Sequence, residues 1–424
     1  MKAATEKLTQ HKDWIDPRAL EIIKDLQSHN HTTYLVGGCI RDLLLNIKPK
    51  DFDIATMAKP QEVKKAVPRS YIIGKRFKLV LAKRGLEMFE IATFRKDVNT
   101  GPARSNQDEN LETTSDEDTA TPIWDDNTFG NPEEDAQRRD FTVNGLFYDP
   151  FKEDLIDYVG GLQDLRQRTI RMIGEPLDRL VEDPIRILRA IRLAHKIKFP
   201  IEEKLLLSIQ QTSEALVQTA LPRRREEYLK FLRVDDPSLP FLQAYDLGIL
   251  KYTLPSLHNL LSYNDLADVF IHKLKHLYRI PVNSDNPLEL FAHLTLAYIR
   301  TNIEPNPMRF LSFNELKNHD DLNLFMKTEL GMFNHEQDTL LRALQSYKQL
   351  YNYNEVERRG ERRQLAFLQH DSFPLGLSLA RREGVLNDQT WTFWMDLYQQ
   401  NFKKILEQPS PNSKRRGARK KSGR

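Results

Sequence analysis

The stretch LVGGCIRDLLLNIKPKDFD, residues 35–53, decides the fold of this chain. The residues Tyr34–Val36 are typical of the end of a short buried strand, and Gly37 and Gly38 predict a tight turn. Ile40–Leu45 then reads as the first turns of a helix. Residues without a Cβ let backbone N–H groups approach an oxyanion, and the positive end of a helix dipole favours one. The strand, the turn and the helix start together predict a phosphate cradle.

A pair of aspartates closes this stretch. On a strand, alternate side chains share a face, so Asp51 and Asp53 are expected to point together into a cleft while Phe52 and Ile54 enter the core. Two neighbouring carboxylates repel each other unless a cation neutralises them, and Mg²⁺ prefers such oxygen ligands together with substrate phosphates. Taken alone, a glycine pair is usually turn geometry and an Asp-x-Asp pair a solvated strand face. Together they indicate transfer of a nucleotidyl group assisted by two metal ions.

Length and composition restrict the class of protein. A chain of 424 residues is expected to form about two to four packed units. Its 40% hydrophobic and 29% charged residues are typical of a soluble globular protein. It has no apolar run long enough for a membrane helix and Met1–Lys7 is unlike a signal peptide, so neither a membrane span nor secretion is expected. The single cysteine, Cys39, excludes internal disulfides and a cysteine-rich zinc site and favours a cytoplasmic location.

A second polar cluster lies in NTFGNPEEDAQRRDFTVNGL, residues 127–146. Asn131 is expected to cap a short helix with an acidic start, and this helix brings Arg138, Arg139 and Asp140 to one place. A guanidinium group is permanently charged and can bind triphosphate oxygens through two donors. Arg-Arg-Asp by itself would be interpreted as a surface ion-pair cluster.

A third charged segment is LVEDPIRILRAIRLA, residues 180–194. Asp183, followed by a proline, is a suitable N-cap for a long helix. Arg186, Arg189 and Arg192 recur every third residue and are predicted to form a cationic stripe opposite the apolar face. Such a stripe is usually solvated, but one that follows a phosphate cradle and paired carboxylates is expected to face a nucleotide.

These three segments, in this order, resemble the motifs of the polymerase β superfamily of nucleotidyltransferases, in the class that holds bacterial poly(A) polymerases and CCA-adding enzymes. The resemblance covers about residues 34–199. It implies an α+β fold, in which a head with a small mixed sheet is followed by all-helical neck and body domains and a disordered basic tail. It also implies that Asp51, Asp53 and Asp140 are the catalytic residues and hold two Mg²⁺ ions.

The same resemblance implies which side chains bind ATP as the substrate. The set is Gly37, Gly38, Arg41, Arg139, Asp183, Arg186, Arg189 and Arg192. Arg41 is expected on the exposed side of its helix. Asp183 and Arg186 are expected to read the base edge, because a carboxylate accepts hydrogen bonds from an exocyclic amine and a guanidinium donates them to ring acceptors.

Between these motifs the sequence leaves several alternatives open. Strands are predicted at residues 77–82 and 88–93, and Glu90 in the second is either a third carboxylate near the metals or an acid outside the site. Residues 97–122 are polar and acidic and predict a mobile loop, either a flap over the RNA path or, as we prefer, a tolerated insertion. Gly160 and Gly161 are interpreted equally well as a hinge or as a tight turn.

The chain beyond Phe199 is predicted to be almost wholly helical. The expected helices are 201–216, 221–232, 239–254, 266–278 and 288–300. The final segment, residues 414–424, carries seven positive charges and no negative ones, which predicts a disordered arm that binds phosphates. The expected RNA-binding residues in this arm are Lys414, Arg415, Arg416, Arg419, Lys420 and Lys421.

The predicted domains are a nucleotidyltransferase head over 1–150, a connector and neck over 151–235, a helical body expected to bind RNA over 236–407 and the basic tail over 408–424. The resemblance implies template-independent addition of AMP from ATP to RNA 3′ ends, which promotes RNA decay in the family. A CCA-adding tRNA nucleotidyltransferase is the alternative. The Lys-Asp-Phe-Asp form of the acid pair, the segment 129–140 and the basic arm favour the poly(A) type.

Two further classes of function are disfavoured. A catalytically silent RNA-binding protein would be expected to have lost some of the acids and arginines, which are all present. An enzyme that modifies small molecules has no evident use for the basic arm and the long helical half. The expected partners are RNA 3′ ends, ATP and proteins of RNA decay, with no membrane, and the chain is expected to be a monomer.

Overall fold

The computed structural model describes residues 1–74, 78–96 and 129–407. The predicted loop at 97–122 and the basic tail with its six expected RNA-binding residues lie outside these ranges. Contacts between residues divide the chain into two compact units. The first contains Met1–Arg179 and Phe199–Leu206, and the second contains Leu180–Lys198 and the chain from Leu207 onward. The predicted domain divisions at 150 and 235 remain predictions.

The first unit is built on one sheet. Its strands are β1 (Thr33–Val36), β2 (Asp53–Thr56), β3 (Ser70–Ile73), β4 (Leu79–Arg84), β5 (Glu87–Thr93), β6 (Leu146–Asp149) and β7 (Asp154–Asp157). They lie in the order β3-β4-β5-β2-β1-β6-β7. β2 and β5 are parallel and the other neighbours are antiparallel, so the predicted small mixed sheet is confirmed. The sheet continues through β7, beyond the expected end of the head at residue 150.

Helices precede, connect and follow these strands along the chain. They are α1 (Lys2–Gln10), α2 (Pro17–Ser28), α3 (Gly38–Leu44), α4 (Pro60–Ala66), α5 (Pro132–Gln137), α6 (Gly161–Gln167), α7 (Pro176–Glu182), α8 (Arg186–Ile197) and α9 (Glu203–Thr212). Of these, α8 belongs wholly to the second unit. α2 begins where Asp16 accepts a hydrogen bond from the Arg18 N–H and a proline occupies the first helical position. α5 begins at the predicted cap, because the Asn131 side chain accepts from the Glu134 N–H at 2.9 Å.

The two faces of the sheet have different environments. The packed face carries buried residues such as Leu35, Ile54, Val80 and Ile91, and α2 and α4 contact these strands. On the opposite face, a cluster of Val36, Ala55, Phe94, Ala136 and Phe147 is buried, with Ala136 supplied by α5. Cross-strand partners point to the same side of a sheet, so this register places Asp53 and Glu90 on the face opposite Ile54 and Ile91.

The second unit is helical, as predicted. Its further helices are α10 (Leu221–Phe231), α11 (Ser238–Asp246), α12 (Leu250–Thr253), α13 (Pro255–Leu261), α14 (Asn264–Leu277), α15 (Pro287–Asn302), α16 (Phe313–Lys317), α17 (Asp320–Asn323), α18 (Asn334–Gln345), α19 (Tyr347–Tyr351), α20 (Tyr353–Glu357), α21 (Glu361–Leu368), α22 (Phe373–Arg382) and α23 (Asp388–Glu407). A π-helical stretch, Leu324–Glu329, precedes α18.

Two predicted helices are interrupted in the structure. The expected helix 201–216 ends at Thr212 and is followed by a 3₁₀ segment, Ser213–Gln218. The expected helix 239–254 is divided into α11 and α12, because Gly248 adopts a φ of 72° that an α-helix cannot accommodate. Local apolar periodicity persists across both interruptions, which is why the sequence alone predicts continuous helices.

A buried arginine ties α10 to the rest of the helical unit. Arg225 donates to Glu336 at 2.7 Å and to the carbonyl oxygen of Gly331 at 3.1 Å. Its guanidinium also lies 4.9 Å from the ring centroid of Phe291 and 4.6 Å from that of Phe333. A buried charge is tolerated when it is paired and hydrogen-bonded in this way, and removing one partner leaves the other uncompensated. The position of α10 therefore depends on α15 and α18.

None of the helices in the described ranges is long and apolar enough to cross a membrane.

The glycine pair at the start of α6 has different requirements at its two positions. Gly160 adopts a left-handed conformation with φ 80°, and a Cβ there would meet no atom within 4 Å. At Gly161, a Cβ would lie 2.2 Å from the carbonyl oxygen of Thr142. Tight-turn geometry and close packing account for both residues, and no feature of the turn calls for a hinge.

Replacing Gly161→Ala is expected to lower the free energy of unfolding by about 2 kcal/mol, because the added methyl group must displace backbone. Urea unfolding followed by circular dichroism measures the change. Gly360→Ala is the matched control, since a Cβ at Gly360 meets no atom within 4 Å, and it should cost less than about 1 kcal/mol. Equal unfolding midpoints for the two variants would contradict this account of the turn.

Candidate active site

The turn after β1 brings two charged side chains, Arg139 and Asp53, close to one backbone position. Gly37 has φ 75°, and a Cβ there would lie 3.2 Å from Arg139 Nη1 and 3.8 Å from Asp53 Oδ2. The N–H of Gly37 donates to the carbonyl oxygen of Leu146 at 3.1 Å, so this amide is not available to a phosphate. Gly37 is therefore required for its conformation and for the close approach of side chains, and the predicted cradle cannot use its N–H.

The expectation that Arg41 is exposed is wrong. Its side chain is 4% exposed, because α3 is covered by α1 and by the 3₁₀ turn Thr142–Asn144. The guanidinium donates to Asp42 Oδ1 at 2.8 Å and 2.5 Å, and also to the side-chain oxygen of Asn144. Arg41 thus joins the first motif to the second from inside the fold.

Asp51, Asp53 and Glu90 line one cleft of about 300 Å³. Asp53 opens β2, and Asp51 precedes the strand instead of lying on it as expected. Burial raises the pKa of Asp53 and the charge of Asp51 adds to the increase, whereas Arg139 and Arg41 oppose it. Burial also raises the pKa of Glu90, with further contributions from Asp53 and Asp51. Glu90 thus lines the cleft of the aspartate pair, and its role as a third carboxylate near the metals remains a prediction.

Asp140 faces its own loop. Its Oδ1 accepts hydrogen bonds from the Phe141 N–H at 2.8 Å and from Asn144 Nδ2 at 3.2 Å. It is not among the residues that line the cleft with Asp51 and Asp53. The structure therefore does not bring the three predicted metal-binding aspartates together. Asp140 instead fixes Asn144, whose side-chain oxygen accepts from Arg41.

Arg139 lies beside Asp53. The nucleotide contact that the resemblance implies for it remains a prediction. Arg139 Nε and Nη2 donate to Asp135 Oδ2 at 3.2 Å and 2.9 Å, and its guanidinium lies 5.0 Å from the Phe147 ring centroid. Nη1 is the atom that faces Gly37. Because Asp135 and Phe147 are themselves held by α5 and β6, the positive charge beside Asp53 has a fixed position.

The first unit offers a donor set that fits a hard divalent cation. Asp51 and Asp53 supply oxygen ligands whose mutual repulsion a cation would relieve, and Mg²⁺ is commonly held by one or two carboxylates together with substrate phosphates. Within residues 1–74, 78–96 and 129–407 no three histidine, cysteine or acidic side chains are close enough to hold an ion by themselves. The arrangement fits a metal bound jointly with a nucleotide.

In the second unit, Asp183 is not the helix cap that the sequence predicts. α8 begins at Arg186, and the backbone oxygen of Asp183, not its side chain, accepts from the Arg186 N–H at 3.1 Å. The Asp183 carboxylate is instead held by both terminal nitrogens of Arg223 in α10, at 2.9 Å and 2.8 Å. The side chain therefore faces α10, and a partner 40 residues away replaces the expected local contact.

The predicted cationic stripe is present on α8. Arg186, Arg189 and Arg192 are each partly exposed, while the opposite face of the helix is buried. Arg186 pairs with Glu182 at 2.7 Å, and Arg192 pairs with Glu227 at 2.8 Å. Burial alone would raise the pKa of Glu227, but Arg192, Lys230 and Arg189 outweigh burial and lower it. The stripe is thus held in place by acids of its own unit.

Three residues of these hydrogen-bond networks are not among the site residues that the sequence predicts. Asn144 stands inside the quoted second motif, so its polar side chain next to Asp140 was a usable signal. Asp42 follows Arg41 directly, but only the fold reveals that it pairs with its neighbour. Arg223 lies in the basic start of a predicted helix, and nothing local to it indicates Asp183 as its partner.

Two segments of the chain match known protein families in sequence. Residues 33–171 match the family described as the poly A polymerase head domain, and residues 198–261 match the probable RNA and SrmB-binding site of polymerase A. Poly(A) polymerase I of Salmonella typhi is 38% identical over 243 residues, which cover 57% of this chain and 51% of that protein. Poly(A) polymerase I of Escherichia coli O6:H1 is 41% identical over 219 residues, covering 52% and 46%.

CCA-adding enzymes are also similar. That of Lactobacillus helveticus is 35% identical over 213 residues, covering 50% of this chain and 49% of that protein. The solved structure of the Thermotoga maritima CCA-adding enzyme complexed with tRNA has a TM-score of 0.56 at 23% identity, covering 95% of this chain and 85% of that chain. The Bacillus stearothermophilus enzyme in complex with CTP gives 0.53 at 21%, covering 92% and 100%. At these identities the structures show a common fold alone.

The chain shares its fold with the solved CCA-adding enzymes. Residues 33–171 are similar to the poly A polymerase head domain, and about half of the chain is similar in sequence to bacterial poly(A) polymerases I and to CCA-adding enzymes. The chain spans about half the length of the curated relatives that it matches.

The variants Glu90→Gln and Asp140→Asn distinguish the two candidates for a third metal ligand. Because Glu90 lines the cleft with the aspartate pair, we expect Glu90→Gln to weaken Mn²⁺ binding by about tenfold and Asp140→Asn by less than about twofold. Electron paramagnetic resonance of free Mn²⁺, titrated with protein and a non-hydrolysable ATP analogue, gives both constants. Circular dichroism controls for folding. Weakening by Asp140→Asn alone would restore the three-aspartate set.

Proposed function

We propose that this chain transfers nucleotidyl groups from nucleoside triphosphates to the 3′ hydroxyl of RNA, and that AMP from ATP is the unit it adds. The acid cleft supports the reaction, because Asp51 and Asp53 are placed to bind metal-complexed triphosphate beside the fixed charge of Arg139. The observation that supports specificity for a single base is the pair of hydrogen bonds that Arg223 donates to the Asp183 carboxylate.

In this proposal Asp51 and Asp53 hold the metal ions, and Glu90 adds negative charge to the same cleft. Two bound Mg²⁺ ions would lower the pKa of the attacking hydroxyl and neutralise the leaving pyrophosphate. Arg139 offers its Nη1 to triphosphate oxygens, since its other donors are already engaged by Asp135. The side-chain hydrogen bonds from Arg41 to Asn144 and from Asn144 to Asp140 hold the glycine turn in position beside the acids.

Base choice is assigned to the second unit. Asp183 and Arg186 carry the acceptor and donor groups that can read a base edge, as the resemblance implies. A CCA-adding enzyme must change from C to A and then stop, so its base-reading pair has to be repositioned. Here Arg223 donates two hydrogen bonds to Asp183, and Arg186 donates a hydrogen bond to Glu182. Because Asp183 and Arg186 are each held by a partner, the pair favours one arrangement. A single arrangement suits the repeated addition of one nucleotide.

The named relatives support the same choice. Poly(A) polymerases I are 38% and 41% identical to this chain, against 35% for the CCA-adding enzyme of Lactobacillus helveticus. The match of residues 198–261 to an RNA-binding family favours RNA as the acceptor. Addition of CCA to tRNA is the second candidate, because the solved structures that share the fold are CCA-adding enzymes. RNA-decay partners, a cytoplasmic location and a monomeric state remain predictions.

Nucleotide incorporation tests the proposed reaction. Purified protein is given an unstructured oligoribonucleotide, or a tRNA that lacks its 3′ end, with each nucleoside triphosphate alone and then with all four. We expect long adenosine ladders on the plain oligonucleotide and little use of CTP.

Asp53→Ala should abolish addition while circular dichroism stays unchanged, because it deletes a ligand and relieves repulsion. Activity within about tenfold of the wild type would contradict the metal assignment, and three-nucleotide addition confined to tRNA would establish the alternative.

Arg223→Ala tests how base choice is held. Without its partner the Asp183 carboxylate can move, so we expect the ratio of ATP to CTP incorporation to fall by about tenfold, the equivalent of roughly 1.4 kcal/mol. Arg233→Ala is the matched control, since Arg233 lies just beyond α10 and donates only to the Ser284 carbonyl oxygen at 2.9 Å among its described contacts. An unchanged ratio in Arg223→Ala would remove this contact from the explanation of specificity.

A further inference from the structure

Part of the face that carries Asp53 and Glu90 is exposed among the residues that the structure describes. The register pairs Glu90 with Leu81 and Leu81 with Tyr71, so these three side chains form one row across β5, β4 and β3. A parallel row contains Met88 and Lys83. These rows lie on the face opposite the buried Val80, Ala82 and Phe89, which are part of the packed face.

The uncovered rows expose apolar side chains. Tyr71 is 56% exposed, Ile73 42% and Met88 46%, whereas residues of the same face beyond β2 are buried in the aromatic cluster around Phe147. An apolar sheet face without a cover indicates a binding surface. We name the surface formed by Tyr71, Ile73, Leu81, Lys83 and Met88 the open platform.

The open platform is continuous with the proposed reaction centre. Met88 and Glu90 line the same cleft as Asp51 and Asp53. Neighbouring strands are about 4.8 Å apart, so Tyr71 lies two strands, or about 10 Å, from Glu90. An RNA strand whose 3′ end lies at the acid pair can therefore extend directly over Met88, Leu81 and Tyr71.

Three lysines lie on or near the open platform. Lys83 belongs to it, Lys78 precedes β4, and Lys50 lines the adjoining cleft. In the part of the chain that the structure describes, none of these three lysines makes an ion pair within its own unit, in contrast with the arginines of α8. Unpaired lysines beside exposed aromatic and apolar groups are typical of surfaces that bind single-stranded nucleic acid, where bases stack and phosphates meet cations.

We propose that the open platform binds the 3′-terminal segment of the acceptor RNA, with a base stacked on Tyr71 and phosphates beside Lys83. This rests on the proposed function in that RNA is the acceptor. The platform holds the strand without reading its sequence, because stacking is available to every base and Lys83 meets only the backbone. Tyr71 and Lys83 are thereby assigned as RNA-binding residues of the head, separate from the groups that bind ATP.

Binding of a 3′-fluorescein oligoribonucleotide in the absence of ATP, followed by anisotropy, tests the platform independently of catalysis. Tyr71→Ala is expected to raise the RNA dissociation constant at least about fivefold, and Tyr71→Phe should leave it within about twofold, since the ring remains. Lys83→Ala should weaken binding and reduce the slope of log affinity against log salt by about one. The KM for ATP should stay within about twofold in all three variants.

Two variants of matched exposure serve as controls. Phe151 is 47% exposed in the turn between β6 and β7, at the other end of the sheet, and Lys64 lies on α4, which covers the packed face. Phe151→Ala and Lys64→Ala should leave RNA affinity unchanged. RNA affinity that is the same in Tyr71→Ala as in the wild type overturns the proposal. A change of oligomeric state in Tyr71→Ala, measured by light scattering, without a change in RNA affinity would make the platform a contact between copies of the chain and also overturns it.

The failure of this inference differs from a failure of the proposed function. If the wild type adds no nucleotide to RNA, the function is wrong whatever the platform binds. If the wild type adds nucleotides and Tyr71→Ala binds RNA normally, the function stands and the platform assignment is wrong.

Discussion

Carboxylates can share a cleft only if the fold holds them against their mutual repulsion. In this protein the sheet does so, because β2 is paired with β1 on one side and with β5 on the other, and the parallel register sets Asp53 beside Glu90. Burial, with the charge of Asp51 as a further contribution, causes an increase in the pKa of both acids. Arg139 compensates part of it, and its own position depends on Asp135 and on the ring of Phe147. The mixed sheet, the glycine turn and α5 therefore all serve one electrostatic requirement.

The parts of the fold that depend on local patterns could be predicted from the sequence. The strand before Gly37, the capped helix after Asn131 and the arginine stripe of α8 all lie where periodicity and capping place them. The failures concern side chains whose partners are distant along the chain. Arg41 is buried by Asn144, which lies 103 residues away, and Asp183 is drawn from its expected capping role by Arg223. Periodicity describes one helix at a time and cannot report which second element covers it.

The helical unit shows how a cationic surface is given a definite shape. Glu182 and Glu227 each hold one arginine of α8, so the charges are ordered before any ligand arrives. α10 contributes both Glu227 and Arg223, and Arg225 anchors the same helix to Glu336. The position of the groups assigned to base reading is thus linked through α10 to residues more than a hundred positions further along the chain. If these groups read the base as proposed, substitutions elsewhere in the helical half would alter nucleotide choice without contacting the nucleotide.

The first unit is not continuous in sequence, because the chain leaves it after Arg179 and returns at Phe199. On its return, the backbone of Ile170 exchanges hydrogen bonds with Pro200 and Glu202, at 2.9 Å and 3.0 Å, and Lys204 pairs with Glu175 at 2.6 Å. During synthesis on a ribosome, the head therefore cannot complete its native contacts until residue 206 has emerged, by which time all of α8 is also outside the tunnel. A fragment that ends at residue 171, the last residue of the match to the head family, would lack the segment Phe199–Leu206. The head is therefore completed only after the whole of α8 has been synthesised.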